Sequence, residues 1–325
     1  MPKKGCLGCS FPVLIGIIIL FLALFIISFV YGPLGQKLLG NFGVNIQPPA
    51  FLAVSTPEPE LPAQAVFHVF GFPITNSILA TWFTMIVLVV FAYAATRKIK
   101  LIPSKVQNLF EFAVESLLKF CQGVAGEKNG RIFFPIIATI FLFVIFNAWL
   151  SLLPGFGSIL VHTSEGEVHL LRGANTDVNT PLALAIVSFV VVEFFGLKAL
   201  RGSYLKKFFN FGRLFGGLGE IFRGKLKSGL GALFFGAIDV FVGVLEALSE
   251  VIRIVSFTFR LFGNMTAGEI LLLIAAFLIP WIFAIPFYML ELLVGFVQAL
   301  IFGGLTLVFL TIAVAGHGEE ETETH

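Results

Sequence analysis

Charge is scarce in this chain. Only 12% of its 325 residues are Asp, Glu, Lys or Arg, against 58% hydrophobic residues. The mean hydropathy is +0.98. No soluble domain hides that much apolar surface, so the composition excludes a soluble enzyme or binding module and points to a polytopic membrane protein. Cysteine is scarce too. Cys6, Cys9 and Cys121 cannot build a disulfide framework. Cys6 and Cys9 form a lone CxxC without a second pair of ligands nearby, and structural zinc needs four. Phosphate-binding loops, dinucleotide fingerprints and nucleophile–base motifs are lacking, which excludes ATP binding or hydrolysis by this chain. No cofactor, metal or nucleic acid is expected.

The few charges that exist are unevenly placed. Segments 1–10, 97–131 and 198–229 hold 2, 7 and 8 of the 21 Lys and Arg residues. The intervening loops hold only Lys37 and Arg172. The positive-inside rule puts those three basic segments in the cytoplasm, and six crossings bring both termini there. The apolar runs are 11–31, 75–96, 132–153, 181–200, a long stretch over 233–276 and a last helix over 287–315. Run 11–31 exceeds a signal-peptide core and reads as an uncleaved anchor, a cleaved signal being the alternative. Residues 104–124 alternate apolar and charged positions at helical spacing. With Ser104 and Gln107 as a capping box, they predict an amphipathic helix at the membrane surface or against the chain's own bundle. Segments 32–75, 154–180 and 201–229 read as loops, the last of them basic. His162 and His169 fall in the second and are expected to meet solvent. The tail GHGEEETETH is acidic.

The long stretch is the unusual one. Asp239, Glu246, Glu250, Arg253 and Arg260 sit inside it at steps of 7, 4, 3 and 7, which keeps them on one helical face. Asn264 lies one turn beyond. Charged groups inside a membrane segment mark an ion path by default. Forty-four helical residues span about 66 Å against about 30 Å of hydrocarbon, so this helix must recline or break, with Gly263 and Gly268 as the places for a bend. Arg260 stays protonated at any working pH. It cannot relay protons, but it can attract a carboxylate and repel cations. Arg253 is expected to pair with Glu250 or Glu246. Buried carboxyls titrate nearer neutrality, so Glu269 and Glu291 read as relay groups, with Gln298 on the face of Glu291. Glu250 and Asp239 stay open between relay and ion pairing.

FRLFGNMTAGE at 259–269 resembles the signature of subunit a of F-type ATP synthase. IFNAWLSLLPG at 145–155, ANTDVNTPLALA at 174–185 and FVQALIFGGLTLVFL at 296–310 resemble further parts of that family, and the likeness covers about 66–318. The resemblance implies an all-α integral membrane protein with six crossing helices, a long tilted helical hairpin and one amphipathic surface helix. Three regions follow: an anchor and external loop at 1–65, a proton-channel domain at 66–318 and the acidic tail at 319–325. The implied function is the stator of the proton turbine in the bacterial cell membrane. Two offset half-channels would serve a ring of subunit c, and subunit b of the peripheral stalk and membrane lipid would be neighbours.

The resemblance also implies roles for single residues. Arg260 would face the ring and separate the half-channels, with Asn264 and Gln298 as polar support. Glu269 and Glu291 would form the interacting pair of the outer half-channel, with Asp177 towards its mouth. Glu246 and Ser249 would serve the inner one. The family commonly has one Glu and one His where this chain has Glu269 and Glu291. Two carboxyls would share a proton and leave room for a metal cation, so a sodium-coupled version is an alternative. A stand-alone ion-coupled transporter and a non-conducting assembly subunit are others. The span at 11–31 is additional to the minimal bacterial pattern.

Overall fold

The computed structural model describes residues 11–43, 62–97, 105–163, 166–201, 204, 208, 211–222, 226–280 and 283–315. Cys6, Cys9, Ser104 of the capping box and the acidic tail lie outside them. Eight α-helices carry the described chain, and six are long and apolar enough to cross a membrane. They are α1 (Phe11–Tyr31), α2 (Pro33–Asn41), α3 (Asn76–Thr96), α4 (Lys105–Ser151), α5 (Asn179–Leu200), α6 (Gly212–Phe222), α7 (Leu226–Leu278) and α8 (Ala284–Ala315). Two antiparallel hairpins, β1 (Ala65–Val69) with β2 (Phe72–Thr75) and β3 (Leu160–Thr163) with β4 (Gly166–His169), fill parts of the segments expected to be irregular. A 3₁₀ turn at Ala174–Thr176 precedes α5.

Helix α4 is two helices in succession. Gly126, at φ 78 and ψ 165, breaks it, and the chain doubles back. A side chain on Gly130 would come within 2.7 Å of Gln122 Cα and 2.8 Å of the Cys121 carbonyl carbon, so only glycine allows that approach. The first half is the expected amphipathic helix. Its Leu117, Cys121 and Ala125 are buried while Leu109 and Phe112 stay exposed, so one side packs on the bundle and the other is free to meet lipid. The second half is the third span.

In lipid no hydrophobic force drives helix against helix, and close packing of small residues takes over. Helix α8 shows this. Gly295, Ala299 and Gly303 recur every fourth residue, and the places a side chain would take at Gly295 and Gly303 lie against Ala148 and Ile137 of α4. The core above them joins Val144 of α4, Ala185 of α5, Phe257, Leu261 and Met265 of α7, and Phe302 of α8. A buried hydroxyl pair, Ser188 and Thr306 at 2.8 Å, ties α5 to α8.

One expectation needs correction. The basic segment 201–229 is not simply a loop: α6 lies within it, and α7 already begins at Leu226. Helix α6 packs antiparallel on the start of α7 through glycines. A side chain at Gly217 would meet Leu233 and Ala232, and one at Gly236 would meet Leu214. Of the two courses left open for the long stretch, reclining or breaking, α7 shows no break, and Gly263 and Gly268 lie inside one continuous helix. It runs unbroken for 53 residues, about 80 Å of helix. The additional span α1 is almost wholly exposed, but its end is fixed. Ser28 donates to the Pro280 carbonyl, and Gly32 abuts Leu278 and Pro280 in the turn between α7 and α8.

Candidate polar path along the long helix

The ionisable groups of α7 divide by partner. Nearest its start, Asp239 meets Arg213 of α6 at 3.7 Å, which makes it a strut of the helical hairpin. Glu246 is half-buried and Ser249 exposed. Glu250, 4% exposed, is paired with Arg253 one turn on: Nη2 donates to Oε1 at 2.8 Å and Nη1 lies 2.7 Å from Oε2. The Arg253 guanidinium also lies over the Phe309 ring of α8 at 3.7 Å, a cation–π contact. The expected pairing of Arg253 with an acid is therefore made with Glu250. Beside this pair, Tyr204 donates its hydroxyl to Glu193 of α5 at 3.1 Å. Burial, helped by the Glu193 charge, pushes the Tyr204 hydroxyl far above its ordinary range, so it stays a donor.

Arg260 differs from the other arginines of the path. Arg213, Arg253 and Arg172 each face a carboxylate. Among the described residues Arg260 meets only the Ser256 hydroxyl, at 3.4 Å, and no acid. It is half-exposed beside a broad uncovered apolar surface that includes Val251, Ile252, Val255 and Phe259. One turn on, Asn264 Nδ2 donates to Gln298 Oε1 at 2.7 Å, which brings the two expected supporting residues together.

Past Asn264 a second cluster begins. Glu291 of α8 is buried, and its carboxyl occupies the space a side chain at Gly268 would need. Gly268 therefore makes room for a neighbouring helix. Glu269, the next residue, turns to Arg172: Nη2 lies 3.6 Å from Oε2. Arg172 is itself buried, and its Nη1 donates to the Pro62 carbonyl at 3.1 Å. Glu291 thus reaches α7 at the residue before Glu269, yet Glu269 has an arginine as partner and no hydrogen bond joins the two carboxyls among the described residues. Asp177 accepts from Ser77 of α3 at 2.8 Å and from the Asn179 backbone at 3.3 Å. Between these groups Asn147 donates to Thr84 at 3.1 Å and accepts from the Asn175 backbone at 3.3 Å.

Sequence reasoning missed Arg172, Ser77, Thr84 and Asn175. One signal was available for Arg172: it is the single arginine in the loops between the three basic segments, which are otherwise almost bare of positive charge. His162, as expected, is exposed, with Glu167 at 3.5 Å.

The family model described as ATP synthase A chain matches residues 78–311. The chain is 32% identical over 244 residues to ATP synthase subunit a of Gloeobacter violaceus, covering 75% of this chain and 85% of that one. It is 32% identical over 235 residues to ATP synthase subunit a of Trichlorobacter lovleyi, covering 72% and 85%. The same-named protein of Citrifermentans bemidjiense is 31% identical over 235 residues, covering 72% and 86%.

Proposed function

The chain belongs to the ATP synthase A chain family, and from that premise we infer how its residues share the work of the stator. It is the proton-channel subunit of an F-type ATP synthase, a multi-pass protein of the bacterial membrane that works in a complex with the other subunits. In our reading the proton-channel domain spans 66–318 and holds no catalytic site. Both termini face the cytoplasm. The partners are the ring of subunit c and subunit b of the peripheral stalk.

The observation that carries this reading is the unmatched Arg260. A cation inside a membrane segment needs a counter-charge. This chain supplies one to Arg253 and Arg172 but none to Arg260 among the described residues. The missing carboxylate comes from another subunit, across the uncovered face of α7. Protons arrive from outside past Asp177, Glu269 and Glu291 and neutralise a carboxylate of the ring. The neutral site then turns into lipid. On the inner side it loses its proton towards Glu246 and Ser249. Arg260 attracts the ionised carboxylate and repels protons crossing directly, while Asn264 and Gln298 hold the neighbouring polar surface.

The Arg172 contact favours the proton over sodium as coupling ion. A guanidinium at 3.6 Å already balances Glu269 and leaves less reason for a metal cation to settle there. The test is ATP synthesis by the reconstituted complex under two driving forces. One is a proton gradient without sodium, and the other is a sodium gradient at constant pH with a protonophore. Synthesis under the first alone supports proton coupling. Synthesis under the second makes the acidic pair part of a cation path, and synthesis under neither by an intact complex returns the chain to an assembly role.

A further inference from the structure

The turn 172–177 carries an amide that the fold leaves unmatched. Asn175 is 1% exposed. Its backbone N–H is satisfied by Asn147, but neither Oδ1 nor Nδ2 of its side chain has a hydrogen-bond partner among the described residues. Such an amide offers two donors and two lone pairs. Leaving a buried polar group without a partner costs its full desolvation, and in a membrane bundle no lipid group can help. A fold strut would be expected to use its amide, as Asn147 does.

The surroundings point the same way. The 3₁₀ turn packs against α3, α4, α5 and α7. On two of these helices buried side-chain atoms are also unmatched: Asn76 Nδ2 at the start of α3 and Thr266 Oγ1 on α7, three residues before Glu269. Arg172, three residues before Asn175, meets Glu269, and Asp177, two residues after it, meets Ser77. One short turn therefore joins the acid at the rim to the acid on the long helix, with a buried, uncommitted amide between them.

We propose that Asn175 is a water-holding residue of the outer half-channel, whose amide anchors the water that carries protons between the Asp177–Ser77 and Arg172–Glu269 contacts. This rests on the outer path proposed above. Asn175 does not itself titrate. It donates to one water and accepts from the next, and so keeps the chain of hydrogen bonds continuous where the bundle is tightest. Buried water is typically held by about three such bonds.

The experiment uses the whole complex in membrane vesicles, with Cys6, Cys9 and Cys121 of this chain replaced by Ser or Ala. Asn175→Leu fills the position with apolar volume, whereas Asn175→Ala leaves room for a further water. The expected result is a loss of proton-driven synthesis of about tenfold or more in Asn175→Leu and of less than about threefold in Asn175→Ala, with assembly equal in both. A merely structural amide would not separate the two. Silver ion applied to Asn175→Cys is expected to block ATP-driven pumping, as it is for Ser77→Cys at the rim. Block at Ser77→Cys without block at Asn175→Cys overturns the role of Asn175 and leaves the outer path standing. No block at either position overturns both. Normal synthesis by an assembled Asn175→Leu complex also overturns the proposal.

Discussion

The carboxyl of Glu291 rests in the space left by the missing side chain of Gly268. One helix gives up its side chain so that an acid from the next can reach it. Glu291 is thereby held against the residue that precedes Glu269, and among the described residues no hydrogen bond joins the two acids.

Replacing Gly268 by Ala should therefore act on Glu291 more than on α7. Alanine favours helix over glycine by about 1 kcal/mol, so the helix itself is not weakened. The displaced carboxyl should lower proton-driven ATP synthesis by about tenfold while the complex still assembles. Measuring synthesis and subunit content together checks this. Unchanged synthesis would show that the close contact has no part in transport.

Arg260→Ala should abolish coupled synthesis and leave assembly intact, because the described chain offers Arg260 no acid whose loss would unfold it. Arg260→Lys should restore little, since a compact ammonium does not reproduce the guanidinium fork. Quantifying synthesis in vesicles of matched subunit content decides the point, and near-normal activity in the alanine variant would sink the mechanism.

Arg253 tells a different story. Its pair with Glu250 is buried, and removing one partner of a buried pair costs about 3–5 kcal/mol. Arg253→Leu or Glu250→Leu should lower the thermal stability of the detergent-solubilised complex, and the double replacement should recover most of the loss. If the double variant stays as unstable as either single one, the pair is not the stabilising unit.

Arg172→Gln removes the charge beside Glu269 but keeps a donor for the Pro62 carbonyl. It should make proton-driven synthesis sensitive to added sodium, since Glu269 would then lose the cation beside it. A sodium titration at fixed pH reads this directly, and an Arg172→Gln complex as indifferent to sodium as the parent would contradict it.

Much of the site was legible because its residues break the local rule. In a chain with so few charges, a line of Asp, Glu and Arg at helical spacing cannot be an accident of a solvated face. The steps of 7, 4, 3 and 7 placed that line correctly on one side of α7. Spacing could not divide the line. Asp239 pairs with Arg213, and that partner lies in a segment read as a loop because its many Gly and Lys residues mask a short helix. Reclining and breaking stayed open for the long stretch for a related reason: the sequence cannot distinguish a glycine that frees the backbone from one that makes room for a neighbour, as Gly268 does.

The sequence by itself determined the solvent, the six apolar spans and the line of charge on α7, because lipid imposes length, apolarity and a penalty on charge that are read one residue at a time. Only the tertiary structure decided the partners. Arg172 reaches Glu269 across 97 positions and Asn264 reaches Gln298 across 34. Such pairings depend on how the 3₁₀ turn, α7 and α8 stack, and that stacking is set by small residues and missing side chains whose sequence pattern names no partner.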